Sequence, residues 1–88
     1  MEIAVGIVET GDGIIFIHRN NTPFKDMLAL PGGKVESNET PEDAMRRELA
    51  EETDMSVTDV DLIGRCTETL HEDETYTHDL HVFRAVPE

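Results

Sequence analysis

The chain is short, at 88 residues, and strongly acidic: 20 Asp and Glu against 7 Lys and Arg give a net charge of −13 at pH 7. That length sets the expectation of one small domain, residues 1–88, with a modest core, and the charge repels polyanions, which argues against an extended nucleic-acid interface. No stretch approaches about 20 apolar residues, so no membrane-spanning helix is expected, and a single cysteine, Cys66, allows no intrachain disulfide.

In chain order, Glu2 to Glu9 (EIAVGIVE) is rich in β-branched residues and reads as a strand with a buried face. Thr10-Gly11-Asp12-Gly13 is a turn signal, and Ile14 to Arg19 (IIFIHR) completes an expected hairpin with the first strand. A polar loop over Asn20 to Asp26, interrupted by Pro23, leads through the short apolar run Met27 to Leu30 into Pro31-Gly32-Gly33. That tripeptide reads as a sharp bend that brings the backbone close to a ligand. Thr40 is a good N-cap, Pro41 suits the first helical position and Asp43 supplies the carboxylate of a capping box. With no Gly or Pro from Glu42 to Thr53, the pattern predicts a helix over about 41–53, roughly 20 Å long. A strand is predicted around Val60 to Thr67, an acidic loop over His71 to Tyr76 and a last strand over Thr77 to Val86. Phe16 and Phe83 are expected in the core. Phe24 and Tyr76 fall in loops, where packing is the default and stacking on a nucleobase the alternative.

At about 100° per residue, Glu48 at 0°, Glu51 at roughly 300° and Glu52 at roughly 40° share one side of the predicted helix, while Met45 and Leu49 form an apolar stripe beside them. Like charges at these spacings cost a few tenths of a kcal/mol each, and a hard divalent cation is the natural partner of clustered carboxylate oxygens. Taken alone, the three acids are equally well read as a solvated face of an acidic protein.

The surrounding residues resemble the signature of the Nudix hydrolase (MutT-like) family, Gly-x5-Glu-x7-Arg-Glu-aliphatic-x-Glu-Glu-x-Gly-hydrophobic. Here it is carried by Gly33, Glu39, Arg47, Glu48, Leu49, Glu51, Glu52 and Met55, preceded by Leu30-Pro31-Gly32-Gly33. Asp54 departs from it, standing where the family has glycine after the helix. Asp tolerates left-handed backbone at a cost of about 1 kcal/mol, so a slightly strained helix end is expected. Asn38, also in place of a common glycine, tolerates positive φ for the same reason.

The resemblance implies an α/β (α+β) fold, a mixed sheet with this helix packed on it. It also implies hydrolysis of nucleoside diphosphates linked to another group, such as a nucleoside triphosphate or ADP-ribose, with Mg²⁺ or Mn²⁺ as cofactor. Glu48, Glu51 and Glu52 are then metal ligands together with the Gly32 carbonyl. The base that activates water is Glu48 or one of the loop acids Glu72, Asp73 and Glu74. Arg47 and Glu39 fix helix and loop, with Gly33 as part of the same support. Arg19, Lys34 and Glu36 are weaker candidates for contacts to substrate, an exposed surface role being the alternative for each. The family's further strands and second long helix have no counterpart before Glu88. Hence a homodimer covering the open sheet face is expected, and a non-catalytic nucleotide-binding module or an incomplete domain is the alternative to an enzyme.

His71, His78 and His81 match no strong zinc spacing, and His78 and His81 have opposite strand parity. The chain opens with Met-Glu and breaks its apolar run at Glu9 to Asp12, unlike a signal peptide. A cytoplasmic setting is expected, and a high-salt interior also suits the acidic composition.

Overall fold

In the computed structural model, which describes residues 1–18, 27–69 and 77–88, the sheet is built around a parallel pair that no local sequence signal announces. Strand β1 (Glu2–Thr10) is followed by three short strands, β2 (Gly13–Ile14), β3 (Ile17–His18) and β4 (Leu28–Ala29). Then come β5 (Gly32–Lys34), helix α1 (Pro41–Thr53), β6 (Val57–Thr69) and β7 (Thr77–Pro87). β1 runs parallel to β7 from Glu2 opposite Asp79 to Val8 opposite Ala85, and β6 lies antiparallel on the far side of β7. The other edge of β1 is shared, with β5 at its start and β2 at its end, both antiparallel. β3 and β4 form a separate two-stranded sheet.

The alternation in β1 decides which face is buried. Ala4, Gly6 and Val8 point towards α1 and are buried, while Ile3, Val5 and Ile7 are half-buried on the opposite face. Phe83 and Ala85 of β7 join the helix side, where Ala44, Met45 and Leu49 of α1 close the core over them with Val57. Met45 and Leu49, the apolar stripe of the sequence, are fully buried, each stabilising the fold by about 1.5–3 kcal/mol. Met45 packs directly over Gly6, where a Cβ would stand 3.0 Å from its sulfur.

Helix α1 begins and ends where its sequence signals fall. The Thr40 hydroxyl accepts the Asp43 N–H and the Asp43 carboxylate accepts the Thr40 N–H, a complete capping box. At the other end Asp54 takes the left-handed conformation (φ 60°, ψ 25°) and donates its N–H to the Ala50 carbonyl at 2.9 Å, so an aspartate performs the turn usually left to glycine. Asn38 does not do the equivalent: among the described residues the non-glycine ones with positive φ are Asp54 and Asp59, the latter at an irregularity where β6 shifts register against β7 between Thr58 and Asp61.

Four expectations are corrected in whole or in part. The strand expected over Ile14 to Arg19 is divided within its described part: only Gly13–Ile14 pairs with β1, and Ile17–His18 pairs with Leu28–Ala29 instead. The run IIFI has no period-2 alternation to commit it to a single sheet face, and Phe16, expected in the core, is 51% exposed at the break. The bend expected over Pro31-Gly32-Gly33 is confined to Pro31 and the positive φ of Gly32, and Gly32-Gly33 continue as strand, paired with Val5 and Ala4. Its glycines serve close approach: at Gly32 (φ 152°) a Cβ would lie 2.2 Å from the Ala4 carbonyl oxygen. β6 is also longer than the Val60–Thr67 core read from the sequence. Arg19, Phe24, His71, Glu72, Asp73, Glu74 and Tyr76 lie outside the described residues. Among the described residues no helix is long and apolar enough to cross a membrane.

Candidate active site

The acidic side of α1 faces the outer edge of β5, and the closeness of the two elements depends on Gly33. A Cβ there would stand 2.6 Å from the carboxylate carbon of Glu48, so the strand backbone and the Glu48 side chain occupy adjoining space that no larger residue leaves open. The β1–β5 ladder accounts for which β5 groups face the helix. Val35 donates to the Glu2 carbonyl and Gly6 donates to the Pro31 carbonyl, so by the alternation of an antiparallel pair the backbone groups of Gly32 and Lys34 point away from β1. Helix side chains meet them. The Gly32 N–H donates to Glu52 Oε1 at 2.9 Å, and the Lys34 carbonyl accepts from Arg47 Nη2 at 3.1 Å.

Arg47 is the centre of the charged network. Its Nη2 donates to Glu39 Oε1 at 2.7 Å, its Nε to Glu39 Oε2 at 3.2 Å and its Nη1 to Glu48 Oε1 at 2.9 Å. Glu51 lies 3.5 Å from Nη1 and Glu36 lies 3.9 Å from Nη2. The two-pronged pairing with Glu39 has the geometry that makes a guanidinium more than a point charge. Glu39 is itself placed by the turn before the helix, where its Oε1 accepts the Glu36 N–H at 2.9 Å. The hydrogen bond from Arg47, aided by the Glu36 N–H, holds the Glu39 carboxyl below the usual carboxylate range despite its partial burial. Reciprocally, Glu39 and then Glu48 raise the Arg47 guanidinium further above its already high value.

The structure therefore brings together Gly32, Gly33, Glu39, Arg47, Glu48, Glu51 and Glu52. Lys34 joins through its carbonyl, and its side chain is exposed. Glu36, with its side chain 64% exposed, stands at the margin and outside β5. Among the described residues no group of three or more His, Cys, Asp and Glu side chains stands close enough to hold a metal ion. In this arrangement Glu52 is turned to the Gly32 amide, and Glu48 and Glu51 to Arg47.

Two contacts were not read from the sequence: Arg47 to the Lys34 carbonyl and Glu52 to the Gly32 amide. Both required β5 to be recognised as a strand with an outward edge, and the Gly-Gly pair masked it. His81 is a further structural group with no local sequence signal. It is buried, with Nε2 3.2 Å from Glu2 Oε1, and ties β7 to the start of β1.

The pattern that defines the NUDIX domain matches residues 2–88. The chain belongs to the NUDIX domain family. Over 48 residues it is 54% identical to the ADP-ribose pyrophosphatase of Methanocaldococcus jannaschii, covering 54% of this chain and 28% of that protein. Over 54 residues it is 46% identical to the 8-oxo-dGTP diphosphatase of Escherichia coli, covering 59% of this chain and 42% of that protein. The NUDIX hydrolase from Nitrosomonas europaea shares the fold, with a TM-score of 0.87 at 22% identity over 99% of this chain and 58% of that one. The chain thus spans under half the length of either curated relative.

The depressed Glu39 carboxyl makes the loop–helix junction sensitive to acid. Its contribution to stability is complete above the ordinary glutamate pKa of about 4.3 and is lost as pH falls through the lower folded value. Glu39→Gln removes this dependence. Denaturant unfolding from pH 7 to pH 3 should show the wild type more stable at pH 7 and its advantage over Glu39→Gln shrinking below about pH 5; a constant difference across that range contradicts the assignment.

Proposed function

We propose that this single NUDIX domain is a divalent-metal-dependent hydrolase that cleaves the pyrophosphate bond of a nucleoside diphosphate linked to another group. The observation that carries this reading is the delivery of three helix carboxylates, Glu48, Glu51 and Glu52, to the outer edge of β5 by Arg47 and the Gly32 amide. A solvated acidic face has no need of an arginine that reaches from the preceding turn, through Glu39, to the strand.

The donors fit a hard cation such as Mg²⁺ or Mn²⁺ in kind, being carboxylate oxygens and a backbone carbonyl with no sulfur or imidazole among them. Glu48, Glu51, Glu52 and the Gly32 carbonyl would hold it once the three carboxylates are drawn together, since in the present arrangement they do not converge. When bound, such an ion neutralises phosphate oxygens and lowers the pKa of a coordinated water. The chain's own contribution is placement. Arg47 keeps Glu48 from drifting off the strand edge, and Glu39 keeps Arg47 in place. Glu48, with its side chain only 21% exposed, is the candidate to accept the proton of the attacking water; the loop acids Glu72, Asp73 and Glu74 are the alternative. The activities for which the two curated relatives are named point to ADP-ribose or an oxidised nucleoside triphosphate as substrate, and the acidic surface suits a small nucleotide in a cytoplasmic setting better than a polymer.

A homodimer follows from the open sheet face. α1 covers one side of β1 and β7, while Ile3, Val5, Ile7, Leu80 and Val82 are half-buried on the other and Val86 is exposed there. Light scattering at working concentration should give twice the 9.9 kDa chain mass, and a monodisperse monomer removes the dimer.

The activity is tested with a panel of nucleoside triphosphates, ADP-ribose and dinucleoside polyphosphates, with Mg²⁺ or Mn²⁺ and with chelator, beside Glu52→Gln. Turnover should require the metal and fall by at least about 10²-fold in the variant. A folded, metal-binding chain that turns over none of these substrates contradicts the reading.

A further inference from the structure

The Gly32 amide is held by a residue expected to serve a cation, and that bond has a consequence for the strand. Two consecutive glycines have the least intrinsic preference for any one backbone conformation, so Gly32-Gly33 needs outside constraints to remain extended. On its inner side β5 has the ladder to β1. On its outer side, where Gly32 and Lys34 present their backbone groups, α1 takes the place of a neighbouring strand: Arg47 meets the Lys34 carbonyl and Glu52 meets the Gly32 N–H. The order is antiparallel, with the later helix residue on the earlier strand residue. Arg47 and Glu52 are five positions apart, about 7.5 Å along the helix axis, which matches the roughly 7 Å that two strand residues span. The Gly32 carbonyl lies on the same outer edge, between the two contacts.

We propose that Glu52 is a positioning residue for Gly32: by accepting the Gly32 N–H it fixes the outer edge of β5 against α1 and so presets the Gly32 carbonyl before any ion arrives. This role is additional to the negative charge that Glu52 brings, and it rests on the metal-dependent reading of the same site. Arg47 anchors one end of the edge and Glu52 the other. Loss of the Glu52 oxygen frees the more flexible end, because Gly32 cannot be stiffened by a side chain of its own: a Cβ there meets the Ala4 carbonyl oxygen and the Val5 Cα, at 2.2 and 2.6 Å.

Amide exchange followed residue by residue in the metal-free protein separates the two roles, with Mn²⁺ affinity measured by calorimetry on the same samples. Glu52→Gln keeps a carbonyl oxygen for the amide and loses the charge; Glu52→Ala loses both. Gly32 should be protected in the wild type, remain within about threefold of it in Glu52→Gln and lose about fivefold or more in Glu52→Ala, the scale of one hydrogen bond. The Gly6 amide, which donates to the Pro31 carbonyl at 2.9 Å, should stay protected in all three and reports that the sheet is intact. Mn²⁺ should bind more weakly to both variants, and about fivefold more weakly to Glu52→Ala than to Glu52→Gln. A wild-type Gly32 amide that exchanges as fast as that of Gly11, in the exposed β1–β2 turn, overturns the proposal without recourse to a variant. Equal Gly32 protection in the Gln and Ala variants also overturns it. Should Glu52→Ala fail to fold, a Glu52→Gln amide as fast as Gly11 overturns it and one within threefold of wild type supports it. A protected Gly32 in a chain that binds no Mn²⁺ defeats the metal-dependent reading and leaves the clamp standing.

Discussion

One guanidinium holds the functional end of this molecule together. Arg47 is the point at which the loop before the helix, the helix and the β5 edge meet: it bonds Glu39, Glu48 and the Lys34 carbonyl and lies near Glu51 and Glu36. Its side chain is 29% exposed, which places the network where water weakens each charge but does not dissolve the geometry. Without such a centre the arrangement is electrostatically unfavourable. Glu51 and Glu52 sit in the last turn of α1, which contains no basic residue, so each opposes the helix dipole at about 0.3–1 kcal/mol, and each repels Glu48, three and four positions earlier, by about 0.2–0.5 kcal/mol more. The acids at the start of the helix, Glu42 and Asp43, are placed favourably by the same argument. The helix is thus well formed at its beginning and under electrostatic load at its end, where its carboxylates collect.

The packing that carries this load is local and specific. Met45 and Leu49 seat the helix on β1 beside Gly6, and Gly33 allows Glu48 to lie against the strand. Asp54 then ends the helix in left-handed backbone, at a cost of about 1 kcal/mol, without displacing the acids one turn earlier. The departure from the family signature is absorbed at the cap and does not reach the site.

Much of this was legible in the residues. The capping box at Thr40 and Asp43, Pro41 and the Met45/Leu49 stripe fixed the helix from Pro41 to Thr53 because each is a local signal with a local cause. The clustering of Glu48, Glu51 and Glu52 followed from helical geometry. What escaped was non-local. Nothing in EIAVGIVE or THDLHVFRAV says that the first and last strands pair in parallel, since that contact spans nearly the whole chain. Pro31-Gly32-Gly33 read as a bend throughout, because glycine signals turns more often than strands; the bend stops at Pro31, and the strand that follows, with its outward edge and two helix contacts, has no signal of its own. IIFI, apolar at every position, left the partner of Ile17–His18 and the exposure of Phe16 undetermined.

The most direct test of this account is the state of the Arg47 side chain in the metal-free protein, read by ¹⁵N NMR of the arginine guanidinium groups with Arg47→Lys to assign the signal. The account predicts separate, slowly exchanging Nη resonances for Arg47, because Glu39, Glu48 and the Lys34 carbonyl hold both arms of the fork. A single averaged resonance exchanging like that of the exposed Arg65 contradicts it, for the acids of α1 would then have no fixed centre.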